Sequence, residues 1–205
     1  MKALILIDIQ NDFLPGGALP VPDGHLVIPV ANRVQPGFPL VVASQDWHPP
    51  DHRSFATRHP GKKPGDVIII NNLEQSLWPP HCVRDTPGAE LAAALDVRRI
   101  ARVFRKGADP EVDSYSAFFD VDRVHATGLA EFLRERMVTD VWVMGLATEY
   151  GVKYTALDAA RLGFSATVVE DGCRGFERAP GDAARALKEL RQQGVRFAKS
   201  DEVQY

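Results

Sequence analysis

Six short runs of apolar residues constrain this chain more than any other feature: Ala3 to Ile9, Leu40 to Ser44, Ile100 to Phe104, Val141 to Met144, Ala166 to Val169 and Val195 to Ala198. Each has strand length, and each is continuous rather than alternating, the pattern of strands covered on both faces. Segments with helical spacing lie between them, at Leu26 to Val34, Ala89 to Leu95, Leu129 to Arg136, Glu149 to Leu162 and Asp182 to Gln193, with Gly163 and Gly194 as stops. Strands alternating with helices predict an α/β protein, a three-layer αβα sandwich around a mainly parallel six-stranded sheet. A chain of 205 residues, 45% of them hydrophobic, is sufficient for one core, so residues 1–205 are expected to form a single domain.

The net charge of −3 is mild and spread without long runs of one sign, which gives no electrostatic footprint for nucleic acid or an anionic membrane. A small-molecule partner fits better, and self-association stays open. The N-terminal run turns acidic at Asp8, without the length or cleavage site of a signal peptide, and no segment approaches a membrane span. Cys82 and Cys173 are too few for a disulfide framework. A reducing cytoplasm is the expected location.

The stretch from about 46 to 87 breaks the rhythm. It is rich in Pro, His, Asp and Gly, with only a weak strand at Val67 to Ile70, and reads as a functional insertion. Asp46-Trp47-His48 opens it and Trp78-Pro79-Pro80-His81 closes it, offering one carboxylate and two imidazoles to a divalent metal, with His52 as a further candidate ligand. Asp8 ends the first strand and Lys106 follows the third apolar run, so both fall at the carboxyl ends of strands, where open parallel sheets collect ligands. Taken singly, each has a plain alternative: a cap for Asp8, a solvated cation for Lys106, a loop cap and surface histidine for Asp46 and His48.

The segment Val143 to Lys153 reads as a strand turning into a helix, a corner that aims backbone N–H groups at a bound oxyanion or thiolate. Gly151 stands at its helical side. Glycine there costs about 0.5–1 kcal/mol relative to alanine, so helix propensity does not select it; close backbone approach is the plain reason it would be kept.

These motifs together resemble the bacterial nicotinamidases, within the isochorismatase-like cysteine hydrolases, over essentially the whole chain. The resemblance is carried by Asp8-Ile9-Gln10-Asn11-Asp12-Phe13 with Gly16 to Leu19, Ser44-Gln45-Asp46-Trp47-His48-Pro49, Trp78-Pro79-Pro80-His81-Cys82, Lys106-Gly107, Asp113 to Phe119, Gly145-Leu146-Ala147-Thr148-Glu149-Tyr150 and Asp171 to Gly175. It implies an isochorismatase-like, Rossmann-like fold and hydrolysis of nicotinamide to nicotinate and ammonia through a cysteine thioester, a step of NAD salvage and pyridine nucleotide biosynthesis. By the same resemblance Asp8 carries protons, Lys106 is its ion-pair partner, and the nucleophilic cysteine falls on Gly151. Ala147 and residue 151 would form the oxyanion hole, Leu146-Ala147 would hold a non-proline cis peptide, and Phe13, Leu19, Trp78 and Tyr115 would wall the substrate. Asp46, His48 and His81, with His52 as the less certain addition, would bind a divalent metal, zinc first and iron or manganese as alternatives.

Glycine at the nucleophile position leaves three readings. The chain is an inactive or substrate-trapping nicotinamidase; or an isochorismatase-type vinyl-ether hydrolase with Asp8 as general acid; or a non-catalytic nicotinamide-binding module. The metal motif counts against the second.

Overall fold

The first apolar run forms strand β1 (Lys2–Ile7), whose residues from Ala3 on are at most 1% exposed because both faces of the sheet are covered there. The computed structural model describes residues 1–203. After β1 come helix α1 (Val27–Val34), β2 (Leu40–Asp46), a hairpin of β3 (Val67–Ile70) and β4 (Leu73–Ser76), β5 (Ile100–Lys106), α2 (Leu129–Glu135), β6 (Asp140–Leu146), α3 (Lys153–Arg161), β7 (Ser165–Arg174), α4 (Asp182–Gln192) and β8 (Arg196–Ala198). No helix among the described residues is long and apolar enough to cross a membrane.

One six-stranded sheet, in the order β5-β2-β1-β6-β7-β8 with every pair parallel, forms the middle layer. From β1 the chain crosses to β2 on one side, and from β6 it crosses to β7 on the other. Right-handed crossovers in opposite directions put α1 on one face and α2, α3 and α4 on the other, which is the predicted three-layer α/β sandwich. Contacts agree: α1 packs on β6 and β7, while α3 packs on β7 and on α4. The point where the connections diverge lies between the carboxyl ends of β1 and β6, the crevice where such sheets bind ligands.

Several strands outrun their apolar cores. β7 continues from Val169 to Arg174, and β2 and β5 end on the polar residues Asp46 and Lys106. The helix expected over Ala89 to Leu95 is absent; a single 3-10 turn at Pro87–Ala89 takes its place. Backbone groups there serve the segment after β1 instead, with Asn11 N–H donating to Glu90 O at 3.0 Å and Ala92 N–H donating to Ile9 O at 2.9 Å. Groups committed across the chain cannot close helical turns. In the long segment after β2, the expected strand over Val67–Ile70 finds an antiparallel partner in β4 through a two-residue turn, Asn71-Asn72, both at positive φ as such turns require.

Candidate functional site

Three strand ends deliver the charged core of the site. Asp46 and Lys106 are register partners across β2 and β5, and Asp8 follows β1 directly in a left-handed conformation, φ 48°, that turns the chain out of the sheet. Lys106 Nζ lies 3.0 Å from Asp8 Oδ2 and 2.5 Å from Asp46 Oδ1, and it also donates to Ser114 O at 3.1 Å. All three side chains are buried, Lys106 to 3% exposure. Burial alone would strip the lysine of its proton, but Asp46 and Asp8 outweigh it and hold Lys106 charged, above the usual lysine range. Asp8 is affected most by burial, which raises its pKa from 3.8 to about 6 against the pull of Lys106. Ser44 donates its hydroxyl to Asp8 Oδ1 at 2.6 Å and fixes the carboxylate.

Beside this pair lie Asp46, His48 and His81, all buried, with ligand atoms within 4.8 Å of one another. His48 Nδ1 is 2.8 Å from Gly107 O, and His81 Nδ1 is 2.9 Å from Pro79 O. A carbonyl only accepts, so each Nδ1 carries the hydrogen and each Nε2 keeps its lone pair. Burial lowers both imidazole pKa values, most strongly for His48, and keeps the rings neutral. Asp46 gives one oxygen to Lys106 and turns the other towards His48 Nε2, at 3.8 Å. Two Nε2 lone pairs and one carboxylate oxygen, their rings oriented by backbone carbonyls, fit a divalent transition metal.

His52 packs on His48 with ring centroids 4.4 Å apart, and His48, His52 and Asp113 also converge within 4.8 Å. Its nitrogens are occupied, however: Nε2 faces Val112 O at 3.3 Å, and Ser54 approaches Nδ1 with its hydroxyl at 2.7 Å and its N–H at 3.2 Å.

β6 ends in the predicted cis peptide, Leu146-Ala147. The expected helix over Glu149 to Leu162 begins instead as a π turn, Thr148–Val152, before α3 takes over at Lys153. Such turns are uncommon and collect at functional sites. Gly151 sits inside it against the end of β1: a Cβ placed there would fall 2.6 Å from Ile7 Cγ2, 2.8 Å from Leu146 O and 3.0 Å from Asp8 Oδ2. Close approach therefore accounts for a glycine, and the same distances put any side chain at 151 beside Asp8.

All these groups open on one small cavity, walled by Phe13, Leu19, Trp78, Tyr115, Ala147 and Gly151, with Asp8, Asp46, His48, His81 and Lys106 at its polar end. Of the residues singled out from sequence, only His52 lies outside its lining. Four lining residues carry no site role in the sequence reading: Asp113, Ser114 and Tyr150, which fall within the motifs of the resemblance, and Phe176. Tyr150 was within reach, one position from Gly151. Phe176 lies two residues past the end of β7, beyond the run Ala166 to Val169 over which that strand is expected.

Cys82 and Cys173 are buried, and burial raises both thiols, Cys173 to about 12. Neither supplies a thiolate. Cys173 donates to Val169 O, and the Cys82 backbone N–H is held by Asp12 Oδ2 at 2.7 Å.

A family model described as the isochorismatase domain matches residues 2–202. The chain is 48% identical to a nicotinamidase of Escherichia coli (strain K12) over 198 residues, 95% of this chain and 92% of that one. It superposes on the solved Acinetobacter baumanii nicotinamidase/pyrazinamidase with a TM-score of 0.96, at 41% identity and covering 99% and 98% of the two chains. Yeast nicotinamidase bound to the inhibitor nicotinaldehyde matches with a TM-score of 0.91 at 33% identity over 97% and 100% of the chains. Pyrococcus horikoshii pyrazinamidase in complex with zinc matches at 0.81 and 38% over 97% and 98%. With its family model spanning nearly every residue and its sheet, cis peptide and buried Asp–Lys pair assembled at one crevice, this chain belongs to the isochorismatase family.

Proposed function

We propose that the cavity is a nicotinamidase site that binds nicotinamide or a related pyridine or pyrazine carboxamide, and that Gly151 leaves it nearly without turnover. The observation that carries this reading is the joint opening of the Asp8–Lys106 pair and the Asp46/His48/His81 trio on one small aromatic cavity, with Gly151 beside Asp8. The names of the similar enzymes, and the nicotinaldehyde and zinc in the titles of two solved structures, support it.

In this reading Phe13, Leu19, Trp78 and Tyr115 hold the flat ring. Asp46, His48 and His81 would hold a divalent metal, zinc in the first instance, which when bound acts as a Lewis acid towards the ring nitrogen. With the ring held between these walls the carboxamide would face Asp8, and the N–H groups of Ala147 and residue 151 would receive its oxygen as it becomes negative. A cysteine at 151 would give its proton to Asp8 and attack the carbonyl carbon. Asp8 would pass that proton to the departing ammonia, then take one from the water that cleaves the thioester. Lys106 keeps its charge throughout and holds Asp8 in place. Removing the nucleophile from such a unit costs on the order of 10⁶ in rate, while ring binding does not depend on it.

The test is Gly151→Cys with ammonia release from nicotinamide as readout. We expect the variant to gain on the order of 10³-fold or more over the unmodified chain, with Ile7 and the Leu146 backbone shifting to seat the new Cβ. No gain in metal-loaded protein, with no calorimetric binding of nicotinamide by the unmodified chain, overturns the proposal. A second reading, vinyl-ether hydrolysis with Asp8 as general acid, is favoured by the raised Asp8 pKa of about 6 alone; cleavage of isochorismate by the unmodified chain would establish it.

A further inference from the structure

Beside the site sits a buried carboxylate that none of these steps uses. Glu149 lies in the π turn, directly before Tyr150 and two residues before Gly151, and is 9% exposed. Its Oε1 accepts two backbone hydrogen bonds from the loop that follows β7, from Phe176 N–H at 2.7 Å and from Glu177 N–H at 3.0 Å. Its Oε2 has no hydrogen-bond partner among the described residues. That oxygen lies against Gly175, where an added Cβ would collide with it. Burying a carboxylate is unfavourable unless its bonds compensate, and here the bonds go to the backbone of a cavity wall.

The loop runs as a strap. Phe176 packs against Trp78 with centroids 5.8 Å apart, against Tyr150 at 6.0 Å and against Phe13 at 6.4 Å. Two residues on, the Arg178 guanidinium covers the Trp78 ring at 5.1 Å and donates to Gly65 O at 2.9 Å. Between the two, Glu177 accepts from the N–H groups of Gly181 and Ala183 and ties the strap to the start of α4. Glu149 ties this strap to the turn that carries Gly151 through two short backbone bonds, and Arg178 adds a longer one to the Tyr150 hydroxyl at 3.4 Å.

We infer that Glu149 is a positioning residue that sets the size limit of the substrate pocket: by holding the backbone at Phe176 it fixes the aromatic wall shared with Trp78 and Phe13, and so confines the site to a single flat ring. The inference rests on the carboxamide-site reading above. Calorimetry on the metal-loaded, otherwise unmodified chain compares nicotinamide with quinoline-3-carboxamide, which carries the same ring nitrogen and carboxamide on a fused double ring. Glu149→Ala and Phe176→Ala are each expected to weaken nicotinamide about tenfold, the scale of one lost aromatic contact, and to leave the larger amide unchanged or tighter. Both therefore lose selectivity together. Glu149→Gln keeps the accepting carbonyl and is expected to restore it; Gly175→Ala, whose methyl displaces the carboxylate, is expected to reproduce Glu149→Ala and serves if that variant does not fold. An equal loss for both amides in Glu149→Ala, or unchanged selectivity there while Phe176→Ala loses it, overturns the inference alone. Nicotinamide failing to bind the unmodified chain overturns the carboxamide reading, and the inference with it.

Discussion

Asp8 is held between opposing demands, because one buried cation answers two buried carboxylates. With its pKa raised from 3.8 to about 6, the folded chain keeps a proton on Asp8 that the unfolded chain has released between about pH 4 and 6. Folding therefore loses stability at this residue as pH rises through that window, and the loss is complete above it. Asp8→Asn has no such proton to exchange. Urea titrations should show the difference in unfolding free energy between the two proteins moving against the unmodified chain from pH 4 to 6 and then levelling; a constant difference contradicts the raised pKa. Residues of this kind were legible in the sequence because each is a polar group ending an apolar run: Asp8 after Ile7, Asp46 after the second run, Lys106 after the third. Ser44 and Glu149 were not, since a hydroxyl inside an apolar strand and an acidic residue in a turn look the same whether or not they hold another group.

At the scale of single elements, the turn after β5 shows how a backbone conformation supports a side chain elsewhere. Gly107 has φ 63°, which brings its carbonyl to the His48 ring, and a Cβ there would run into that ring. Gly107→Ala is expected to cost about 1–3 kcal/mol from the left-handed backbone and the displaced imidazole. It should also lower the metal content of purified protein, measured by elemental analysis beside Asp46→Ala, which should lose metal, and His52→Ala, which should retain it. Full metal content in Gly107→Ala would show that the carbonyl does not orient His48. The turn was readable only as Lys-Gly; what it touches depends on β5 and β2 lying side by side. Elements were predicted well where periodicity was locally consistent, as in α1 and α4, and missed where distant backbone claimed the hydrogen bonds. Residues 89–95 have helical spacing but give Glu90 and Ala92 to the segment after β1.

Across the whole molecule, the strand order places β1 and β6 at the middle and β5 and β8 at the margins. The order itself could not be read from the runs, because continuous apolar strands carry no mark of their neighbours. Hydrogen exchange should follow the order: amides of β1 and β6 slowest, those of the β3–β4 hairpin, whose Val67 and Ile69 are exposed, among the fastest. Within β5 a gradient is expected, with Ile100 to Val103 exchanging faster than Phe104 to Lys106, and Lys106→Met should abolish it. Uniform exchange along β5 in the unmodified chain would contradict this. Among the described residues β5 pairs only with β2 and exposes most of its side chains, yet it ends in a buried ammonium held by Asp46, Asp8 and the Ser114 carbonyl. Peeling of this margin from Ile100 is expected to halt at the ammonium that also steadies Asp8. A loosening of this border that reached Lys106 would free Asp8 as well.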